Sequence, residues 1–172
     1  MIFISGIHGV GKSYFCEKLE EVTGIESYAS SSLIVQKKKV IFATDKKIAD
    51  IDSNQNYLLA AVEELKEKNS FFVLDGHFCL LDEEGTITKI PEQTFVDLKP
   101  TAVVLLTEKV EIIAERRMAR DRIEIDLEAT YKFQEAEVAY AKEIAEKLGV
   151  PFKISKGFDD LEETIEFIKE QG

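Results

Sequence analysis

The chain alternates short apolar runs with longer stretches in which apolar residues recur at helical spacing. The apolar runs are typical of buried strands and cover residues 1–5, 71–75, 102–106 and 152–154, with a weaker candidate at 26–31. The helical stretches cover residues 14–22, 54–68, 110–119, 126–148 and 159–169. Strands that alternate with helices pair in parallel, and the helices cover both faces of the sheet. The pattern therefore predicts an α/β fold of three layers.

Local signals refine this prediction at a few positions. Asp126 is placed to cap the long helix over 126–148, and Gly149 follows its end. Gly85, followed by alternating residues at 86–90, predicts a small hairpin outside the main sheet. The lysine-rich segment 33–52 has no clear periodicity, so its structure stays open.

The most specific motif spans residues 6–13, which read Gly-Ile-His-Gly-Val-Gly-Lys-Ser and match the phosphate-binding pattern G-x-x-x-x-G-K-[ST]. In this pattern the backbone N–H groups of a glycine-rich turn face the phosphates, the lysine reaches the β- and γ-phosphates, and the hydroxyl binds Mg²⁺. A strand precedes the motif and a helix follows it, as phosphate binding at a helix N-terminus requires. We therefore expect ATP to contact Gly6, His8, Gly9, Val10, Gly11, Lys12, Ser13 and Tyr14.

A carboxylate ends the apolar run over 71–75, at the position where proteins with this loop hold Mg²⁺ through water. Asp75 is therefore predicted to bind the metal together with Ser13 and to act in catalysis. Many ATPases with mechanical roles place a water-activating glutamate next, whereas residue 76 is glycine, which favours transfer to a bound acceptor. His77 has two interpretations: it contacts the acceptor or moves a proton, or it forms a local hydrogen bond.

All four arginines of the chain lie within residues 116–122, although the protein is acidic. Guanidinium groups bind phosphate oxygens in pairs of hydrogen bonds and stay charged when desolvated. We therefore predict catalytic roles for Arg116, Arg120 and Arg122, in a segment that closes over the transferred group and excludes water. The alternative is a solvated helix end whose arginines pair with surface carboxylates.

Composition narrows the class of protein. A chain of 172 residues suits a single domain over 1–172. Its net charge of −11 disfavours sequence-independent binding to nucleic acid, which needs basic contacts to phosphates. Cys16 and Cys79 lack metal-binding spacing and are interpreted as buried reduced thiols. The sequence shows neither a signal peptide nor an apolar run long enough for a membrane span, so we expect a cytoplasmic protein without a membrane partner.

The order of the phosphate loop, Asp75-Gly76-His77 and the arginine-rich segment resembles the adenylate-kinase-like branch of P-loop kinases, and within it the archaeal-type adenylate kinases. The resemblance spans most of the chain, although only the phosphate loop is a specific motif. It implies a five-stranded parallel sheet in the order 2-3-1-4-5, an acceptor-binding segment at about 33–68 and a short lid at about 116–126. It also implies that the loop after the last strand touches adenine, which adds Lys156 to the nucleotide-binding residues.

The acceptor side departs from that family. Residues 33–56 contain no arginine, whereas adenylate kinases grip the acceptor phosphate with one. Lys37, Lys46 or Lys47 would have to replace it, or the acceptor is another nucleotide or a small metabolite. Gln55 and His77 are predicted to contact the acceptor, and capping of the helix over 54–68 is the alternative role of Gln55.

The sequence thus predicts an Mg²⁺-dependent kinase that transfers a phosphoryl group from ATP to a small acceptor bearing a phosphate or a hydroxyl. The resemblance favours a nucleoside monophosphate as that acceptor. Lys12 and the arginines would stabilise the transferred group, and Asp75 would be the base if the acceptor is a hydroxyl. The alternatives are a kinase of a non-nucleotide metabolite, and a slow ATPase that acts as a switch or assembly factor on a protein or ribonucleoprotein partner.

Overall fold

The structure, a computed structural model, describes residues 1–44 and 54–172. Its helices are α1 (Lys12–Thr23), α2 (Ser30–Thr44), α3 (Asn54–Lys68), α4 (Glu92–Leu98), α5 (Val110–Asp121), α6 (Leu127–Leu148) and α7 (Leu161–Lys169). Its strands are β1 (Ile2–Ser5), β2 (Ser27–Ala29), β3 (Val73–Gly76), β4 (Cys79–Leu81), β5 (Ile87–Lys89), β6 (Ala102–Leu106) and β7 (Phe152–Ser155).

Five of these strands form one parallel sheet in the order β2-β3-β1-β6-β7. The strands β4 and β5 pair with each other in an antiparallel hairpin apart from this sheet. If the five strands are numbered in chain order without the two hairpin strands, their order in the sheet is 2-3-1-4-5. The predicted fold class is therefore confirmed. Ser5 and Gly76 are paired at the carboxyl ends of β1 and β3, which is the edge where open α/β sheets bind ligands.

The core is built around the two central strands. Every residue of β1 and β6 is buried, because helices cover both faces of the sheet at this point. The ring of Phe78 stacks on Phe95 of α4 at 4.5 Å and meets the edge of Phe3 of β1 at 5.1 Å. These aromatic contacts hold α4 and the segment after β3 against the sheet.

The predicted element signals agree with the structure at several positions. The Asp126 side chain accepts a hydrogen bond from the Ala129 N–H at 3.0 Å, and Gly149 ends α6 with φ of 65°. The open segment 33–52 is helical as far as residue 44, and residues 45–53, which include Lys46 and Lys47, lie outside the described residues. The predicted lid at 116–126 begins within α5, whose last residue is Asp121. The helix α7 begins two residues later than expected, because a turn of 3-10 helix precedes it.

The two cysteines have the environment that the sequence predicts. Cys16 and Cys79 are both buried and free, as the sequence indicates. Burial raises the pKa of each thiol to about 12.

Among the helices of residues 1–44 and 54–172, none combines the length and apolar character that crossing a bilayer requires.

Candidate active site

The phosphate loop joins β1 to α1 in a path that depends on glycine. Gly6 has φ of +152°, and a Cβ there would come within 2.8 Å of the Leu106 carbonyl oxygen at the end of β6. Gly11 precedes the first residue of α1 in the left-handed region, with φ of 106°. A side chain at either position would strain the loop or push it off the sheet.

Lys12 is a nearly buried charge, with 9% of its surface exposed. Its ammonium group donates a hydrogen bond to the Gly6 carbonyl oxygen at 2.6 Å and lies 3.8 Å from an oxygen of Asp75. Burial lowers the pKa of Lys12, and the carboxylates of Asp75 and Glu137 oppose this shift. Lys12 therefore links the phosphate loop to the end of β3.

Asp75 lies at the carboxyl end of β3 with 18% of its side chain exposed. Burial raises the pKa of this carboxyl group, while the neighbouring Lys12 lowers it. A desolvated carboxylate is a better proton acceptor than one in water. Asp75 is thus suited both to accept a proton and to face a metal ion.

The next residue, Gly76, packs directly against the core. A Cβ at this position would lie 2.7 Å from the Cζ atom of Phe3. No side chain fits here without moving that aromatic ring, so the position cannot hold the water-activating glutamate of mechanical ATPases. This packing explains the glycine at position 76.

His77 and His8 face each other, with ring centroids 4.7 Å apart. Burial, followed by the charge of Lys12, lowers the pKa of His77 to about 3, so its imidazole is neutral near pH 7. Within the described residues, the buried Nδ1 atom of His77 has no hydrogen-bond partner.

The arginines occupy different environments. Arg116 donates hydrogen bonds to the carbonyl oxygens of Val10, at 3.1 Å, and Gly9, at 3.3 Å, and pairs with Glu108 at 3.3 Å. Arg120 is more exposed and binds Asp121 through two hydrogen bonds, of 2.7 and 3.0 Å.

Arg116 and Arg120 lie four residues apart on α5, and both line the cavity beside the phosphate loop. Arg122 follows the last residue of α5 with φ of 56°, is exposed and does not line that cavity. The structure therefore brings two of the three predicted arginines to the site.

A cavity of about 650 Å³ opens at the carboxyl ends of β1, β2 and β3. The predicted residues that line it are His8, Gly9, Gly11, Lys12, Ser13, Tyr14, Gln55, Asp75, His77, Arg116 and Arg120. Lys156 is exposed and lies outside this lining. The neighbouring Phe158 instead approaches Tyr14, with ring centroids 4.8 Å apart, beside a small cleft next to the phosphate loop.

A family model described as an AAA domain matches residues 5–132, about three quarters of the chain. The chain belongs to the AAA domain family. The match includes the phosphate loop, Asp75 and the arginine-rich segment, and it ends within α6, at residue 132. No curated protein matches the sequence.

Solved structures with the same fold include three that align with nearly the whole of this chain. A shikimate kinase from Acinetobacter baumannii, solved in complex with shikimate, is 16% identical over 98% of this chain and 90% of that chain, with a TM-score of 0.57. A gluconokinase from Sinorhizobium meliloti 1021 is 16% identical over 99% and 89%, with a TM-score of 0.54. An uncharacterized protein from Eubacterium ventriosum ATCC 27560 is 15% identical over 98% and 97%, with a TM-score of 0.55. These likenesses show a shared P-loop kinase fold, and the closer resemblance to adenylate kinases stays a prediction.

Glu137, on α6, is a buried residue that the sequence interpretation missed. It is 1% exposed and accepts hydrogen bonds from the Ser5 hydroxyl and from the backbone N–H groups of Phe78, at 2.9 Å, and Cys79, at 2.6 Å. Burial raises the pKa of Glu137, and these hydrogen bonds oppose that shift. Glu137 thus joins the end of β1 to the segment that follows His77. Its signal in the sequence is its place on the apolar stripe that carries Phe133 and Tyr140.

The donor set fits Mg²⁺ bound together with a nucleotide. Ser13 and Asp75 line the same cavity and offer oxygen ligands, which Mg²⁺ prefers. The part of the chain that the structure describes has no group of three or more His, Cys, Asp or Glu side chains that could hold a metal by themselves. A cation with few protein ligands, completed by water and phosphate oxygens, agrees with this arrangement.

Proposed function

We propose that this AAA domain protein transfers the γ-phosphoryl group of ATP to a small acceptor. One observation carries the proposal: Lys12, Asp75 and Arg116 line a single cavity of about 650 Å³, in which Lys12 lies 3.8 Å from Asp75 and Arg116 lies against the phosphate loop. A hydrolase needs room only for water at this point. Gly76, packed against Phe3, also leaves no space for a water-activating glutamate.

The geometry suits transfer by positioning and charge stabilisation. Lys12 would stabilise the charge on the β- and γ-phosphates, and Arg116, held against the loop by the Val10 and Gly9 carbonyls, would stabilise charge on the transferred group. The bond between the γ-phosphorus and the ADP oxygen breaks while a bond to the acceptor oxygen forms. If the acceptor is a hydroxyl, Asp75 takes its proton. When bound, Mg²⁺ would neutralise charge on the phosphates.

The class of acceptor is the finer part of the proposal. The names of two structures with this fold, a shikimate kinase and a gluconokinase, support a small-molecule acceptor. The sequence resemblance favours a nucleoside monophosphate, and that choice stays a prediction.

Release of ADP from ATP and Mg²⁺ tests the proposal directly. The release is measured with water alone and with nucleoside monophosphates, nucleosides, shikimate and gluconate. We expect at least one acceptor to raise the rate well above the rate in water. Slow release that no acceptor changes would contradict the kinase and favour a nucleotide switch with a macromolecular partner.

Arg116→Ala is expected to lower kcat by roughly 10²-fold, the usual effect of removing one donor to a developing charge. Arg116→Lys keeps the charge but loses the paired hydrogen bonds, so its activity should fall between that of the wild type and that of Arg116→Ala. Steady-state kinetics measure both variants, with Lys132→Ala as an exposed control on α6. Equal activity of Arg116→Ala and the control would remove Arg116 from the mechanism.

Phe158→Ala is expected to raise the KM for ATP about fivefold or more, with kcat little changed, because stacking on a nucleobase contributes about 1–3 kcal/mol. We place the adenine beside Tyr14 and Phe158, whose rings flank the cleft next to Gly11. Lys156→Ala tests the sequence prediction that Lys156, in the same loop, binds the nucleotide. An unchanged KM in Phe158→Ala would place the base elsewhere.

A further inference from the structure

Arg116 is held at the phosphate loop by acceptors from two different parts of the chain. Its Nη1 atom donates to the carbonyl oxygens of Val10 and Gly9, at 3.1 and 3.3 Å, and its Nη2 atom donates to the Glu108 carboxylate at 3.3 Å. A guanidinium group is planar and rigid, so contacts at both terminal nitrogens set its orientation. The direction in which Arg116 faces the cavity therefore depends on Glu108 as well as on the loop.

Glu108 is itself anchored through its backbone to α6. The Glu108 N–H donates to the Gln134 amide oxygen at 3.1 Å, and the Gln134 amide nitrogen donates to the Glu108 carbonyl oxygen at 2.9 Å. This reciprocal pair satisfies both backbone groups of a residue that lies between β6 and α5, outside regular secondary structure. The long helix α6 thus fixes the place of Glu108 beside the start of α5.

The carboxylate of Glu108 is confined as well. Its Oε1 atom accepts a hydrogen bond from the Lys109 N–H at 2.9 Å, while its Oε2 atom accepts from Arg116. A Cβ on Gly157 would lie 3.5 Å from the same Oε2 atom, so the loop after β7 packs beside it. Only 13% of the Glu108 side chain is exposed. The carboxylate therefore offers Arg116 an acceptor whose position is nearly fixed.

Neither folding nor overall charge accounts for a carboxylate at this position. The Arg116 side chain is 37% exposed, and an ion pair that is open to water contributes little to stability. The negative charge of Glu108 would also repel the phosphates of a nucleotide bound at the loop. Orientation is the benefit that remains, because stabilisation of a developing charge depends on donors that are already in place before the reaction.

We propose that Glu108 is a positioning residue that orients Arg116 toward the transferred phosphoryl group, and that Gln134 anchors Glu108 for this role. This inference rests on the proposed phosphoryl transfer. Glu108 acts through Arg116, and its own carboxylate does not bind the phosphate. Without Glu108, Arg116 keeps its charge, but its guanidinium group turns more freely and stabilises the transferred group less well.

Steady-state kinetics of variants at Glu108 test the inference. We expect Glu108→Ala to lower kcat about fivefold or more, and to change the KM for ATP less than threefold. Glu108→Gln keeps an acceptor oxygen, so its kcat should lie between those of the wild type and Glu108→Ala. The rates are measured as ADP release with the acceptor that raises this release most among nucleoside monophosphates, nucleosides, shikimate and gluconate.

Glu111→Ala is the matched control, because Glu111 is an exposed glutamate in the first turn of the same helix. Circular dichroism and thermal melting establish that each variant is folded, and the exposed ion pair predicts a change of less than about 4 °C in the Tm of Glu108→Ala. Equal kcat values for Glu108→Ala and Glu111→Ala would overturn the inference.

A double-mutant cycle shows whether Glu108 acts through Arg116. In the Arg116→Ala background, Glu108→Ala should change kcat less than twofold, because the group that it orients is absent. A loss of kcat as large as in the wild-type background would overturn the inference.

The anchor on α6 has its own variant. Gln134→Ala should lower kcat about threefold or more, because it frees the backbone of Glu108 from α6. Glu135→Ala, at the adjacent exposed residue, should leave kcat within about twofold of the wild type. Equal kcat values for the two variants would overturn the anchoring role of Gln134.

Nuclear magnetic resonance of the arginine side chains gives a readout that needs no turnover. The chain has four arginines, and Arg116→Lys identifies the Nε–H signal of Arg116 by removing it. We expect ¹⁵N relaxation to show faster motion of this group in Glu108→Ala than in Glu111→Ala. Equal motion in the two variants would overturn the inference. Release of ADP that no acceptor raises would instead overturn the phosphoryl transfer, which this measurement does not use.

Discussion

Lys12→Ala is expected to reduce phosphoryl transfer by roughly 10³-fold or more, the largest effect that the structure predicts for any single side chain. The ammonium group lies between the phosphate loop and Asp75, 2.6 Å from the Gly6 carbonyl oxygen, so it faces the place of the bound phosphates. Burial lowers the pKa of Lys12, which means that the folded protein bears a cost for holding its charge. Loss of this group should therefore abolish turnover without unfolding the protein. Initial rates of ADP release with a saturating acceptor measure the effect.

Lys18→Ala is the matched control, because Lys18 lies on the same helix and pairs on the surface with Glu21. Its activity should stay within about twofold of the wild type, as expected for an exposed ion pair. Circular dichroism and thermal melting of both variants establish that they are folded. Turnover retained by a folded Lys12→Ala protein would contradict the assigned role of the loop.

Glu137→Ala is expected to lower the free energy of unfolding by about 3 kcal/mol, because each buried N–H left without a partner costs about 1–3 kcal/mol. The N–H groups of Phe78 and Cys79 both donate to this carboxylate, and so does the Ser5 hydroxyl. Glu137→Gln keeps one acceptor oxygen at similar volume, so its loss of stability should be smaller. Urea denaturation measures the free energy of unfolding of the wild type, of Glu137→Ala and of Glu137→Gln.

Glu135→Ala is the control for this position, since Glu135 is exposed on the same helix two residues earlier. It should change the free energy of unfolding by less than about 0.5 kcal/mol, as is usual for surface substitutions. If Glu137→Ala were as stable as Glu135→Ala, the hydrogen bonds of Glu137 would not hold the two segments together.

Much of the fold could be predicted because its signals are local. The phosphate loop needs glycines at fixed spacing, and the bounds of α3, Asn54–Lys68, agree with the periodicity of its apolar residues. The central strands are apolar at nearly every position because both of their faces are covered. These features depend little on distant parts of the chain.

The features that were missed depend on distant contacts. The helix α4 has only seven residues and follows Pro91, and its apolar residue Phe95 is fixed by packing against Phe3 and Phe78. Its own sequence is too short to show a helical period. In the same way, Glu137 resembles an ordinary surface glutamate until its three donors, from β1 and the segment after β3, are brought together.

The arginines show which features of the site residue spacing alone can predict. Arg116 and Arg120 are four residues apart and therefore share one face of α5, which the structure places beside the phosphate loop. Arg122 follows the end of the helix, so it lies outside that face. The sequence locates the cluster, but the end of the helix decides which side chains reach the site. A catalytic role for Arg122 stays a prediction.

The central claim is that the γ-phosphoryl group of ATP passes to a small acceptor in the cavity, and labelled ATP tests it most directly. The protein is incubated with ATP labelled in the γ-phosphate, Mg²⁺ and a mixture of nucleoside monophosphates, nucleosides, shikimate and gluconate, and the products are separated. The account predicts label in a phosphorylated acceptor with the wild type and none with Lys12→Ala. Label that appears only in inorganic phosphate, at a rate that no acceptor in the full panel changes, would contradict it.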